Sequence, residues 1–225
     1  MNVGAKLQSA LEAILPAGVA VCVLPIETVA EPLFAQEEAA MQKAVAKRRQ
    51  EFALGRMAAR RALRQLGIVA GALPVRADRQ ASWPAGVTGS ISHNDQWCVA
   101  VVAKQPNIVS IGVDIEVATP LDAGLEHLVC LASEQAKTAQ DRESGLTAKR
   151  IFSAKEAAFK CQYPLTQRMF GFERFEVKFP NETSFVAEFQ TETPPFKQGD
   201  LLRGHSLRMG GQFLSLVILG ENSGY

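Results

Sequence analysis

Asp114 and Glu116, in IGVDIE (111–116), stand two residues apart. On a strand this spacing sends both carboxylates to one face and Ile111, Val113 and Ile115 to the other. Two such acids repel unless a cation joins them, and hard oxygen donors without a nearby cysteine or histidine pair suit Mg2+ better than zinc. A lone D-x-E usually marks a solvated strand edge, but the flanking residues here read as a buried strand, which favours a metal. A third acid, Glu156, lies in RIFSAKEAAFK (150–160), where Phe152, Glu156, Phe159 and Lys160 share a helical face. The plain account of Glu156 and Lys160 is a weak i, i+4 ion pair. The chemical account adds Glu156 to the metal site and gives Lys155 and Lys160 to anionic substrate oxygens. Three acids with several cations are the arrangement expected of a magnesium-dependent phosphoryl transferase.

Cations also gather upstream. Lys47, Arg48, Arg49, Arg56, Arg60, Arg61 and Arg64 share their window with a single acid, Glu51. On a helix over 36–66, Arg56 projects with Val45, Phe52 and Leu63 on the apolar stripe, flanked by Arg48, Arg49 and Arg60. An arginine so placed needs a partner. Guanidinium matches phosphate oxygens bidentately, so Arg56 is expected to hold a phosphate, whereas Arg61 and Arg64 are expected to snorkel into solvent. His93, one of three histidines, falls in a turn within GSISHNDQW (89–97) and is the natural polar neighbour of such a site. GSIS is not a G-x-S-x-G elbow, which argues against a serine nucleophile.

The elements that must position these residues follow from periodicity and punctuation. A first strand is predicted at Val19 to Leu24, then the helix over 36–66, ended by Gly67. A Pro/Gly-rich connection over 71–90 leads to strands in QWCVAVVA and IVSIGVDIE. Ser133 is a candidate cap for a short helix, and Thr147 to Gln162 reads as a longer one. FERFEVKF, SFVAEF and QFLSLVIL read as strands, the last after a Gly210-Gly211 turn. Helix followed by strands occurs twice, which predicts two α+β halves, 1–106 and 107–225.

Composition narrows the function classes. The 225 residues are 47% hydrophobic and 21% charged, with a formal net charge of +1; this excludes a disordered chain and argues against a broad nucleic-acid-binding face. Cys22, Cys98, Cys130 and Cys161 form no C-x-x-C pair and are expected to be reduced, as in the cytoplasm. LEAILPAGVAVCVLPI is interrupted by Glu12, Pro16 and Pro25, so it reads as neither signal peptide nor membrane span. Two rivals remain: another magnesium-dependent nucleotidyl or phosphoryl transferase, and an RNA-binding module. The second lacks aromatic platforms and leaves three inward acids unexplained.

WPAGVTGSISH (83–93), IGVDIE (111–116) and FSAKEAAFK (152–160), in that order, with RRQEFALGRMAARRAL (48–63) upstream, resemble the 4′-phosphopantetheinyl transferases of the surfactin-synthetase and enterobactin-synthetase type. The resemblance implies two similar α+β subdomains related by a pseudo-twofold axis, with the active site in the cleft between them. It implies transfer of the 4′-phosphopantetheine of coenzyme A to a serine of an apo acyl, peptidyl or aryl carrier protein, with Mg2+, in siderophore, nonribosomal peptide or fatty acid synthesis. By resemblance, Asp114, Glu116 and Glu156 are the magnesium ligands, and Lys160 contacts the coenzyme's phosphates, with Lys155 in the same motif. Ser92 and His93 match the pair at the 3′-phosphate, and Arg48 and Arg56 match basic positions at the nucleotide end. Glu156, Glu116 and a metal-bound water are alternative bases for the serine proton. Where some members carry Gly-Lys-Pro, this chain has SWPAGV, and Arg76 or Arg79 is the candidate substitute. A monomer is expected, working without nucleic acid or membrane.

Overall fold

Asn2 caps the first helix, α1 (Val3–Glu12), by accepting the Ala5 N–H at 2.9 Å, and Leu7 and Leu11, one turn apart, are its buried pair. The computed structural model describes residues 2–138 and 143–221. They fall into two units, Met1–Val109 and Ser110–Tyr225.

In the first unit α1 is followed by β1 (Val19–Pro25), the four-residue α2 (Ala35–Glu38) with a 3-10 turn, α3 (Ala46–Gln65), β2 (Val87–His93) and β3 (Trp97–Lys104). The sheet is antiparallel in the order β1-β3-β2. β3 is apolar almost throughout because it is the central strand, buried on both faces. Leu54, Met57, Ala58, Ala62 and Leu63 of α3 pack on Cys22 and Leu24 of β1 and on Ala100 and Val102 of β3. The alanines let the helix axis approach the sheet closely.

Two expectations for this unit are corrected. The helix expected over 36–66 is broken between Met41 and Ala46, and Val45, assigned to its apolar stripe, is 72% exposed. In an unbroken helix Glu37 and Arg60 would stand about 35 Å apart. They form a buried ion pair at 2.7 Å, so α2 folds back beside α3 and this pairing overrides the helix propensity of the segment. The second correction is that Ser92 and His93 lie on strand β2, opposite Val99 and Cys98 of β3, and not in a turn.

The second unit contains most of β4 (Ile108–Val117), the short helices α4 (Ala123–Val129) and α5 (Ala132–Thr138), α6 (Ser144–Thr166), and β5 (Phe175–Asn181), β6 (Ser184–Phe189), β7 (Leu201–Met209) and β8 (Gln212–Gly220). Its five-stranded sheet runs β4-β8-β7-β6-β5, with β5 to β8 an antiparallel meander. Ala148, Ile151, Ala154, Ala157, Ala158 and Cys161 line α6 with small buried residues, packed among Phe175, Phe185, Phe189 and Val217. Phe170, Phe175, Phe189 and Phe196 form a run of ring contacts with centroids 4.5–5.4 Å apart. α5 is not capped by Ser133: the Leu131 N–H donates to Glu134 Oε2 at 2.7 Å. Among the described residues, no helix is long and apolar enough to cross a membrane.

Candidate active site

β4 and α6 meet at a glycine. A Cβ on Gly112 would lie 1.8 Å from the Ala157 carbonyl oxygen and 2.6 Å from the Cys161 nitrogen, so only glycine allows the helix to cross here. Ser110, two residues earlier, donates its hydroxyl to the Cys161 carbonyl at 2.5 Å. The period of two along a strand then puts Asp114 and Glu116 on the face that α6 covers. Asp114 is buried, and its Oδ1 accepts from Lys160 Nζ at 2.7 Å. Glu116 Oε2 accepts from Lys149 Nζ at 3.2 Å, and that ammonium lies 5.5 Å from the Phe152 ring centroid. Lys149, Phe152, Glu156 and Lys160 occupy the i, i+3, i+7 and i+11 positions of one helical face. The sequence reading missed Lys149, although that spacing from Glu156 and Lys160 marks it.

Electrostatics tie the acids together. Burial pushes the Glu116 carboxyl up, and the charge of Asp114 adds to the effect, while Lys149 and Lys160 oppose it. Burial likewise raises Glu156, with Lys160 opposing and Asp114 and Glu116 adding. Both glutamates thus feel the charge of Asp114 through a partly dehydrated medium. Glu156 makes no hydrogen bond or salt bridge among the described residues. Nor, among those residues, are three His, Cys, Asp or Glu side chains gathered into a metal-holding group; two lysines supply the positive charge. Asp114, Glu116 and Glu156 offer oxygen donors only, the chemistry that a hard divalent ion takes.

Lys155 is elsewhere. It is 1% exposed, and its ammonium donates to Glu134 Oε2 at 2.7 Å, to the Val129 carbonyl at 2.8 Å and to the Phe172 carbonyl at 3.1 Å. Glu134 Oε1 in turn accepts the Val177 N–H at 2.6 Å. Its three ammonium protons thus reach α4, α5 and the 3-10 turn at Phe172, and tie them to α6. Lys155 is thus packed inside the second unit, whereas Lys160 of the same motif meets Asp114.

The candidate anion-binding residues of the first unit are drawn together in part. Arg48 Nη1 donates to His93 Nε2 at 3.1 Å, and Glu51 Oε2 lies 3.6 Å from Arg48 Nη1 and 3.8 Å from His93 Nε2. Glu51, the lone acid of the basic window, is the balancing charge the sequence reading left unused. Ser92, next to His93, is buried. Arg56 is buried on α3, 4.2 Å from the centroid of the Phe52 ring, and its Nε donates to the Leu73 carbonyl at 2.6 Å. Burial pulls its guanidinium down to about 10, with Glu37 opposing that fall. Arg76 and Arg79 lie on an exposed turn closed by Arg76 N–H to the Gln80 carbonyl at 2.8 Å.

Each of the two units has a counterpart among known proteins. A family model described as the 4′-phosphopantetheinyl transferase N-terminal domain matches residues 36–103, and one described as the 4′-phosphopantetheinyl transferase superfamily matches residues 110–207. The chain is 37% identical to the 4′-phosphopantetheinyl transferase Svp of Streptomyces mobaraensis over 72% of its own length and 68% of the relative's. It is 38% identical to the 4′-phosphopantetheinyl transferase Npt of Nocardia iowensis over 76% and 78%. With enterobactin synthase component D of Escherichia coli K12 it shares 33% over 68% and 73%. The chain belongs to the 4′-phosphopantetheinyl transferase superfamily, whose members transfer phosphopantetheine to carrier proteins.

Proposed function

We propose that this protein transfers 4′-phosphopantetheine from coenzyme A to the serine of an apo carrier protein and releases adenosine 3′,5′-bisphosphate. The observation that supports the reading is Asp114 and Glu116 on the face of β4 that α6 covers, with Lys160 on Asp114 and the charges of both acids felt at Glu156. Asp114, Glu116 and Glu156 would hold Mg2+, which supplies charge neutralisation at the pyrophosphate. Lys160, a quarter exposed, would exchange its contact with Asp114 for a phosphate oxygen. At the first unit, Arg48, Arg56, Ser92 and His93 take the 3′-phosphate end of the nucleotide.

In the transfer, a bond forms between the serine Oγ and the phosphorus next to pantetheine, and the bridging P–O bond to the nucleotide breaks. The electron pair leaves with adenosine 3′,5′-bisphosphate. Glu156 accepts the serine proton: its carboxyl is raised by burial and engaged in no ion pair, whereas Glu116 is tied to Lys149. The recurrence of a long helix over an antiparallel sheet in both units supports reading them as similar subdomains of one design. Relatives named enterobactin synthase component D support a carrier of siderophore or nonribosomal peptide synthesis as the acceptor. Four buried thiols accord with a cytoplasmic workplace.

The test is to incubate the protein with coenzyme A, Mg2+ and several apo carriers and to weigh each carrier. One phosphopantetheine per serine, with equimolar adenosine 3′,5′-bisphosphate, is expected, and neither product with a serine-to-alanine carrier. Release of the nucleotide at the same rate without an acceptor serine would make the protein a coenzyme A hydrolase instead.

A further inference from the structure

Glu37 is fully buried and all of its accepting capacity is turned on backbone and arginine. Its Oε1 accepts from Arg60 Nη1 at 2.7 Å and from the Leu73 N–H at 2.8 Å, and its Oε2 accepts from the Phe34 N–H at 3.0 Å. The next backbone acceptor along the chain, the Leu73 carbonyl, takes the Nε proton of Arg56 at 2.6 Å. Leu73 is thus gripped twice, its N–H by Glu37 and its carbonyl by Arg56.

A buried ion pair is poor evidence of stabilisation, because desolvation offsets most of its attraction. This one also leaves Arg60 Nη2 buried without a hydrogen-bond partner. What the pair does achieve is geometric. It fixes the crossing of residues 72–74 over α3, and Arg56 is braced against that crossing. A guanidinium is planar, so anchoring Nε and resting the group on the Phe52 ring fix both its plane and its direction. Nη1 and Nη2 make no hydrogen bond among the described residues. Leu73 also leads directly into the turn closed by the Val75 to Ala81 bridge, on which Arg76 and Arg79 sit.

We infer that Glu37 is a positioning residue for coenzyme recognition: by latching the Leu73 backbone it sets the direction in which Arg56 presents Nη1 and Nη2 to a phosphate. This rests on the reading that Arg56 takes the 3′-phosphate. Glu37 touches no substrate, so its effect passes through Leu73 and Arg56 and selects between ligands that differ in that phosphate alone.

The experiment compares KM and kcat for coenzyme A and for dephospho-coenzyme A, with a fixed apo carrier, in the wild type, Glu37→Gln and Arg56→Ala. Glu37→Gln is expected to raise the coenzyme A KM by about tenfold, the size of one charge-assisted hydrogen bond, and the dephospho-coenzyme A KM by less than about twofold, with kcat retained. Arg56→Ala should show the same selectivity, and adding Glu37→Gln to it should not change the ratio of the two KM values further. A Glu37→Gln ratio equal to wild type, beside a shifted Arg56→Ala ratio, overturns the latch and leaves the 3′-phosphate reading standing. An unshifted Arg56→Ala ratio overturns both. If Glu37→Gln alone does not fold, Glu37→Met with Arg60→Met, which removes both buried charges and the acceptor for the Leu73 N–H, is measured in its place. The same shift supports the latch, and an unshifted ratio overturns it.

Discussion

Gly112 and Ala157 touch backbone to backbone, and their contact sets the distance between the strand that bears Asp114 and Glu116 and the helix that bears Glu156 and Lys160. Because the obstacle to a side chain at 112 is a carbonyl oxygen and not a flexible side-chain end, the helix itself would have to move. Gly112→Ala is expected to destabilise the protein by about 3 kcal/mol or more, at the upper end of overpacking. Any folded fraction should have lost transfer activity. A wild-type melting temperature in thermal unfolding would contradict the close approach.

Glu156 should trade stability for function. Its carboxyl is raised in the folded state, so its unfavourable contribution is absent at pH below the ordinary carboxylate range and grows as pH rises through the folded value. Removing the charge in Glu156→Gln is therefore expected to stabilise the metal-free protein at neutral pH by roughly 0.5–2 kcal/mol and to abolish most turnover. Melting temperatures of the two proteins should coincide near pH 4 and separate towards pH 8. A gap that is widest in acid would reverse the sign and refute the assignment.

Lys155 and Lys160 lie five residues apart in one motif but are expected to fail differently. Lys155→Ala leaves Glu134 buried and unpaired, a loss of about 3–5 kcal/mol, and should be read in unfolding. Lys160→Ala should remain folded and lose about 10²-fold in kcat through weaker stabilisation of the transferring phosphate. Circular dichroism melts beside single-turnover rates separate the two. Equal stability of both variants would rule out the structural role of Lys155.

The acid pair and the Glu156–Lys160 face were legible because strand and helix periodicities fix relative direction within one element. What periodicity does not fix is which side of an element meets the core. Lys155 shares a heptad-like stripe with the buried Ala148, Ile151 and Ala158, which marks its side as the core face, but its partner Glu134 sits on another helix, so no local pattern supplies the counter-charge. The break between α2 and α3 was hidden for the same reason: the segment has strong helix formers, and only the distant Arg60 draws Glu37 back. His93 was assigned to a turn because Ser, Asn and Asp dominate its surroundings, while β2 is an edge strand that needs few apolar residues.

The cysteines supply a prediction independent of the site. Burial pushes Cys22 and Cys130 up to about 11 and Cys98 and Cys161 up to about 12. A thiol reagent at pH 8 should therefore label none of the four within minutes in the native protein and all four in denaturant. Rapid labelling of one native thiol would show that its segment opens.

The ring run of the second unit holds phenylalanines and Tyr163, and both tryptophans of the chain, Trp83 and Trp97, belong to the first. The two units therefore have separate optical signatures. Indole emission follows only the half that carries Arg56 and His93, and a label placed on the other half would be read without overlap. Ligands that engage one end of the coenzyme at a time can accordingly be followed to the half they stabilise within a single titration.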